Sequence, residues 1–249
     1  MAKQSGLGDH LIIDGQDISG DVNSLSSIHG GPAAWDVTGI DKSANERIGL
    51  LRDGGLGFVA FHNPVALGTH VKLAALPLAD RLVTYLRGVG IGNDAANCVA
   101  KQINYDPTRG ADGSLTFAVD VQADGFGLEW GLQYTAGMRT DTTATNGTAI
   151  DFGAASTLFG MQAYLQIASV VGTSVVVKLQ DSADNITFAD ITGLTFTAVT
   201  PGGAPSSQRL QTLNTATIRR YVRVATTGTF TSAVFQVSAQ RNEVAGVNF

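Results

Sequence analysis

Four histidines and one cysteine are the side chains of this sequence that most readily carry out acid–base or metal chemistry. They are His10, His29, His62, His70 and Cys98. None stands at a metal-ligand spacing from another His, Cys or carboxylate. His62 and His70 flank a candidate helix at a separation that does not place them on one turn. We therefore predict structural or solvated histidines and a small buried thiol in a strand.

A cluster of arginines near the end of the chain is the second group with chemical potential. Arg219, Arg220 and Arg223 are close in sequence, with Arg209 upstream. In a strand, Arg219, Tyr221 and Arg223 share one face, and such a face could bind an anionic or sugar ligand. The alternative is a solvated face with cross-strand ion pairs, and this is the interpretation that we favour.

The remaining motifs do not form a catalytic constellation. There is no G-x-S-x-G elbow and no Cys/His signature, and the GVGIG run lacks the full spacing of a nucleotide fingerprint. Asp181 and Asp184 lie in an acidic turn that lacks the ligand pattern of a calcium hand, and such a turn is usually only a turn. A weak cation site there is the alternative that we keep. We predict no catalytic residue, no metal ligand, no cofactor and no enzymatic activity.

The composition describes a chain with a sizeable core and few charged groups. The 249 residues suffice for one large or two modest domains. Hydrophobic residues make up 44% of the chain, and charged residues make up 15%, against about 25% in an ordinary domain. With so few charged groups, we expect partners to cover part of the surface.

The charge balance and the start of the chain limit the class of protein. The net charge of -5 disfavours a general nucleic-acid-binding protein, which usually carries a basic patch. The sequence shows no secretory signal and no apolar run of transmembrane length. We therefore expect the protein to be made and assembled in a cytoplasm.

Period-two alternation dominates the chain and predicts half-buried strands. The clearest runs are SLTFAVDVQA, FGMQAYLQI, SVVVKLQ, IRRYVRVA and SAVFQVSAQ, and ADRLVTYLRG is also interpreted as a strand. Asp-Gly pairs at Asp14, Asp53, Asp112 and Asp124 predict turns between strands. One short helix is predicted from Pro64 to Leu76, capped by Asn63.

A change in composition divides the chain. The polar, Thr-rich run at 139–149 predicts a linker between a first domain at 1–138 and a second at 150–249. The second half contains few charges and about eight short strands, a pattern typical of a β-sandwich. The predicted fold class is all-β with one short helix: an antiparallel β-sandwich or partial barrel followed by a C-terminal β-sandwich.

Several segments of the first half resemble the major tail tube proteins of long-tailed, siphovirus-type bacteriophages of actinobacterial hosts. The matching segments are IIDGQDISGDVNSL, WDVTG, ANERIGLLRDGGLGFVAFHNP, LVTYLRG, AKQINYD and GFGLEWG. They cover roughly the first 140 residues in order and spacing. The resemblance implies hexameric rings that stack into a tube, and a channel lined by strands of six subunits through which DNA passes without specific binding.

The resemblance also assigns roles to individual residues. A loop between early strands, predicted from Gly39 to Gly55, is expected to reach the adjacent ring. Its charged residues are the candidate contacts between subunits: Asp41, Lys42, Glu46, Arg47, Arg52 and Asp53. Acidic residues along the channel would repel phosphates, and the candidates are Asp112, Asp120 and Asp124.

The second half resembles the appended Ig-like or carbohydrate-binding-module-like sandwich of such proteins. Sugar binding does not follow from a fold alone. The leading hypothesis is a non-enzymatic tail tube subunit, assembled in the host cytoplasm and located in the virion tail. Its expected partners are further copies of itself, other tail proteins at the tube ends and possible host glycans. The alternatives are a virion decoration protein or glycan-binding adhesin module, and another capsid-surface component.

Overall fold

Strands account for most of the chain in the computed structural model, which describes residues 5–153 and 155–246. The strand pairing among these residues is mostly antiparallel, and one short α-helix, α1 (Thr69–Leu73), is present with two 3-10 turns. The all-β prediction with one short helix is therefore confirmed. The strands are β1 (His10–Ile13), β2 (Gln16–Asp17), β3 (Val22–Asp36), β4 (Arg47–Phe61), β5 (Arg81–Leu86), β6 (Asp94–Gln102), β7 (Asp106–Arg109), β8 (Leu115–Gln133), β9 (Arg139–Asp141), β10 (Ile150–Asp151), β11 (Met161–Ser182), β12 (Ala189–Thr195), β13 (Ser206–Gln211) and β14 (Tyr221–Arg241).

The chain forms two compact units that do not follow sequence order. Of the described residues, the first unit takes 5–20, 82–97 and 130–246, and the second takes 21–81 and 98–129. The boundaries fall within β5, β6 and β8, or directly before β3. The predicted domains at 1–138 and 150–249 and the linker at 139–149 stay a prediction, and the two units cross that division. Within the first unit, part of 139–149 is held by strand pairing, since β9 pairs with β14 and Asn146 bridges to Ala225.

The core of the first unit is built on the long pair β11 and β14. Their register runs from Met161 opposite Arg241 to Ser182 opposite Tyr221, with irregularities near Gly172. β12 and β13 pair with β11, and β9 and β10 pair with β14. The predicted alternation is confirmed along both strands, because the apolar positions are buried together: Val175, Val177, Leu179, Val222, Val224, Phe235 and Val237.

One stretch of β11 buries both of its faces, contrary to the predicted apolar and polar sides. Gln162, Tyr164 and Gln166 are as buried as the apolar residues that alternate with them. The Gln166 amide accepts a hydrogen bond from Gly15 N at 2.6 Å and donates to the Leu82 carbonyl at 3.0 Å. The period of the sequence predicted that these three side chains are exposed, whereas other segments of the same unit cover this face and bind Gln166.

The predicted Asp14-Gly15 turn joins β1 to β2. Both residues have positive φ, 45° and 81°, a conformation that Gly adopts without strain. A Cβ at Gly15 would overlap the Ile167 carbonyl oxygen, so only glycine fits this close approach. β1 also pairs with β5, which confirms the strand interpretation of ADRLVTYLRG.

The second unit contains a sheet in the order β3, β4, β8, β7. In β8 the predicted face is confirmed, since Phe117, Val119 and Val121 are buried, whereas Asp120 and Gln122 are exposed. Cys98 lies buried in β6, as predicted. Burial raises the pKa of its thiol to about 12.

Two of the four predicted Asp-Gly turns are wrong. Asp53-Gly54 lies inside β4, where Asp53 is opposite Gly31, and Asp124-Gly125 lies inside β8. At Gly54 a Cβ would meet Leu128 N at 2.6 Å, so this glycine serves close packing of strands.

The helix begins at Thr69 and not at the predicted Pro64. Leu67 has φ of 67°, a left-handed conformation that cannot continue a right-handed helix, and Gly68 is the N-cap. Asn63 does not cap α1; its carboxamide oxygen accepts a hydrogen bond from Val65 N at 3.3 Å. The helix is therefore one short turn-like segment.

Candidate functional site

The predicted charged loop from Gly39 to Gly55 is mostly a β-hairpin. β3 and β4 pair from Val22 opposite Ala60 to Asp36 opposite Arg47, so only residues 37–46 form the connection. The prediction of a loop was wrong, because residues 47–55 have a composition typical of turns but pair with β3. We call residues 29–53 the hairpin arm.

Almost every side chain of the hairpin arm is exposed, on both of its faces; only 37 and 38 are partly buried. Trp35 and Ile48 are register partners and therefore share a face, at 60% and 51% exposure. Leu51 is 88% exposed, and Ile40 at the tip is fully exposed. Such a concentration of bare apolar side chains marks an interaction surface.

Side-chain hydrogen bonds order the tip of the arm. Asp36 accepts from Thr38 N at 2.9 Å and from the Thr38 hydroxyl at 2.5 Å, and these bonds lower the pKa of its carboxyl. Glu46 N donates to the Thr38 hydroxyl at 2.8 Å. Lys42 and Glu46 form an exposed ion pair at 3.4 Å. The tip is thus a defined shape, although little of it is buried.

The six predicted contact residues fall into two groups. Asp41, Lys42, Glu46 and Arg47 lie at the exposed end of the arm. Arg52 and Asp53 lie at its base: Arg52 is 3.6 Å from Glu129, and the Asp53 carboxylate accepts from Gly54 N at 2.7 Å. Contact with another subunit stays a prediction for all six.

A second exposed apolar patch surrounds α1. The helix prediction placed an apolar stripe at Val65, Leu67, Val71, Leu73 and Leu76, but only Leu73 of that stripe is buried. The left-handed residues at Leu67 and Leu76 interrupt the helical period, so the other side chains point outward. The exposed members are Val65, Leu67, Val71, Leu76 and Leu78.

The three candidate channel residues, all in the second unit, make different contacts. Asp112 accepts from Ser114 N at 3.0 Å and from its hydroxyl at 2.7 Å, which lowers the pKa of its carboxyl. Asp120 accepts from the Asn104 carboxamide at 3.1 Å. Asp124 forms an ion pair with Lys101 at 3.4 Å. All three are exposed; a position along a channel stays a prediction.

The candidate ligand face of Arg219, Tyr221 and Arg223 is occupied by contacts within the first unit. The Arg219 guanidinium is 2.6 Å from Asp181, and Arg223 donates to the Gln180 carboxamide oxygen at 2.9 and 3.0 Å. The Arg223 guanidinium also lies 3.8 Å from the centre of the Phe188 ring.

Neighbouring Arg220 binds both carboxylate oxygens of Asp151, at 2.6 and 2.7 Å, and this pairing lowers the pKa of Asp151 to about 2. The geometry therefore matches the favoured interpretation of this region, a face with cross-strand ion pairs.

The acidic turn at Asp181 and Asp184 is used for structure. Asp181 binds Arg219, and Asp184 accepts from Ile186 N and Thr187 N, both at 2.9 Å. These backbone bonds lower the pKa of Asp184 to about 2. Among the described residues, no group of three or more His, Cys, Asp or Glu is arranged to hold a metal ion.

Sequence reasoning missed a contact between two histidines. The rings of His62 and His70 lie 4.6 Å apart, and His70 Nδ1 is 3.1 Å from the Tyr105 hydroxyl. They meet because the chain folds back at the start of α1, where His70 N donates to the Asn63 carbonyl at 3.1 Å. A regular helix from Pro64 would have kept them apart, and no signal in the sequence identified this turn.

Comparisons with known proteins find likeness only among solved structures. No protein-family model and no curated protein match the chain. Its described helices include none long and apolar enough to cross a membrane.

Three of these structures come from phages or from a gene transfer agent particle. A chain of the virion of a native gene transfer agent particle is 12% identical with a TM-score of 0.42, and the match covers 51% of this chain and 98% of that one. The SPP1 Dit protein, from the hub adsorption apparatus of phages that infect Gram-positive bacteria, is 12% identical with a TM-score of 0.32, covering 94% and 99%. A chain of the phage p2 baseplate is 10% identical with a TM-score of 0.32, covering 95% and 99%. At these values, the likeness carries no conclusion about function.

Proposed function

We propose that this chain is a structural, non-enzymatic subunit of a bacteriophage tail tube that assembles with copies of itself. The observation that carries the proposal is the exposure of the hairpin arm on both faces. An isolated two-stranded hairpin is marginally stable in water, and bare apolar side chains at its tip favour association. A partner that covers the arm would stabilise the hairpin and remove its apolar side chains from water.

The size of the arm fits a protein interface. It spans residues 29–53, and each partner in a specific interface contributes about 20–30 residues. Among the described residues, β3 pairs only with β4, so its second edge is open along most of the arm. An open, long edge is a template for another strand. A repeating head-to-tail contact through such an arm builds rings or filaments.

The resemblance of the first half to tail tube proteins supplies the specific form of this assembly. It implies hexameric rings stacked into a tube, with other tail proteins at its ends and DNA passing through without specific binding. The net charge of -5 agrees with a conduit that does not retain phosphates. In this proposal the protein is assembled in the host cytoplasm and resides in the virion tail.

Electron microscopy of the purified protein tests the proposal. The wild-type protein is expected to form stacked rings or tubes in negative stain. A matched variant replaces residues 35–48 with Asn-Gly, a pair that closes a two-residue hairpin, and keeps Arg52 at the base of the arm. It is expected to remain folded and monomeric, and tubes of normal length from this variant would contradict a role for the arm.

A further inference from the structure

The first unit contains an open cleft of about 290 Å³ whose most exposed aromatic residue is Trp130. Trp130 belongs to β8 and is 48% exposed, an unusual state for a large apolar side chain in a long strand. Asp94, Phe152, Arg241 and Glu243 also line the cleft. A half-exposed indole beside carboxylates can bind a cation through the ring face and the carboxylate together.

The cleft offers carboxylate acceptors, and each nitrogen of its arginine already donates a hydrogen bond within the protein. The Arg241 side chain is fully buried; its Nε and Nη2 donate to Glu243 at 2.7 and 3.2 Å, and its Nη1 donates to the Arg219 carbonyl at 3.1 Å. Its guanidinium lies 4.2 Å from the centre of the Phe152 ring. Asp94 is exposed, and within residues 5–153 and 155–246 its carboxylate has no hydrogen bond or ion pair. The cleft therefore attracts positive charge and disfavours anions.

The same unit combines an aromatic ring, a carboxylate and an arginine three times. Arg139 binds Asp141 and lies 5.0 Å from the centre of the Phe235 ring. Arg220 binds the Asp151 carboxylate and lies 4.9 Å from the centre of the Tyr221 ring. Arg241 binds Glu243 over Phe152. Trp130 and Asp94 provide the ring and the carboxylate of a fourth such group without the arginine. Trp is the ring that binds a guanidinium most strongly, and the planar guanidinium can also pair with a carboxylate.

The hairpin arm carries an arginine of matching chemistry. Among the described residues, Arg47 and Arg109 are exposed arginines whose side chains have no hydrogen bond or ion pair. Arg47 lies at the end of the arm, where a second copy could present it. We propose that the Trp130 cleft binds an arginine side chain of a second copy of the chain, namely Arg47. This inference rests on the proposed function, because it requires self-association.

A double-mutant cycle on assembly tests the pairing. Asp94→Asn and Arg47→Gln are each expected to raise the protein concentration needed for assembly about tenfold, the effect of one lost charge-assisted contact. The double variant is expected to be no worse than either single variant, since both remove the same contact. Arg47→Lys is expected to raise the concentration needed for assembly less than Arg47→Gln does, and Arg109→Gln serves as the matched control. Wild-type concentrations for both single variants, or fully additive effects, would overturn the pairing.

Tryptophan fluorescence tests the cleft independently of assembly. The chain has two tryptophans, so Trp35→Phe leaves Trp130 as the single reporter. N-acetyl-arginine amide is expected to change its emission at millimolar concentration, with a several-fold weaker response after Asp94→Asn. A response to a neutral sugar such as methyl glucoside, or none to the arginine amide, would overturn the assignment. A wild-type protein that never assembles, yet shows this arginine-dependent response, would count against the proposed function and leave the cation-binding cleft supported.

Discussion

The Arg52 guanidinium lies 3.6 Å from the carboxylate of Glu129, a side chain that is only 1% exposed. Arg52 stands at the base of the hairpin arm on β4, and Glu129 stands on β8 of the same unit. Arg52 also donates to the Leu128 carbonyl at 3.5 Å. The pair therefore neutralises a buried charge at the point where the arm leaves its sheet.

Replacing Arg52 with Ala is expected to destabilise the protein by about 2 kcal/mol, because the Glu129 carboxylate stays buried without its cation. The loss is smaller than for a fully buried pair, since Arg52 is one-third exposed. Urea unfolding of the monomeric arm-shortened protein, with and without the change, measures this effect. Glu129→Gln in the Arg52→Ala background should recover part of the loss. An unchanged urea midpoint would show that the pair is not structural.

Replacing Gly15 with Ala is expected to destabilise the first unit by more than about 2 kcal/mol. The residue has φ of 81°, and an added methyl would overlap the Ile167 carbonyl oxygen. Because this oxygen belongs to the backbone, the overlap can be relieved only if the backbone moves. Gly113→Ala is a useful control, because φ is 92° there and nothing lies near the added methyl. Thermal unfolding should rank the Gly15 variant well below the Gly113 variant; equal losses would mean that only backbone strain matters.

The Cys98 thiol is expected to be unreactive in the folded protein. Burial raises its pKa to about 12, so the thiolate fraction at pH 8 is about one in ten thousand. A chromogenic disulfide reagent should react at pH 8 only after urea is added. Because the folded pKa is the higher one, stability is unaffected below pH 9 and falls as pH rises toward 12. Cys98→Ala should reduce that loss, and rapid labelling of the native protein would contradict the assignment.

Replacing Ile48 and Leu50 together with Thr is expected to prevent assembly without unfolding the monomer. Both side chains are about half-exposed in the arm, and Thr retains a strong preference for strands. The free energy of unfolding should change by less than about 0.5 kcal/mol per site. Sedimentation would report assembly, and circular dichroism would report folding. Assembly at the wild-type concentration would exclude this face of the arm from the contact.

Replacing Asp184 with Asn is expected to lower stability near neutral pH more than at acid pH. Hydrogen bonds from Thr187 N and Ile186 N lower the folded pKa of this carboxyl to about 2. A lowered pKa contributes stability above pH 4 that is lost as pH falls toward 2. The stability difference between wild type and variant should therefore shrink between pH 5 and pH 2. A constant difference would assign the effect to side-chain shape instead of charge.

Local alternation predicted the strands well because it records which side of a strand is buried. In β8, the apolar positions Phe117, Val119 and Val121 are those that the structure buries. The turn at Asp14-Gly15 was also readable from adjacent residues. These features depend on neighbours within a few positions, where sequence spacing fixes geometry.

Prediction was wrong where the outcome depended on distant partners. Asp53-Gly54 has the sequence of a turn but lies opposite Gly31 in a ladder. Gln166 has the sequence of a solvated position but is buried among hydrogen-bond partners over 80 residues away. Pairing and burial of this kind are set by contacts between remote segments, which a periodic pattern does not specify.

The sequence by itself determined an all-β chain with a small helix and few charged residues. Only the tertiary structure decided that the predicted charged loop is an exposed, paired hairpin arm. It also decided that Arg52 pairs with Glu129 and that Trp130 lines a cleft. The physical reason is that strand formation follows local residue pattern, whereas exposure and partnership are properties of the assembled sheets.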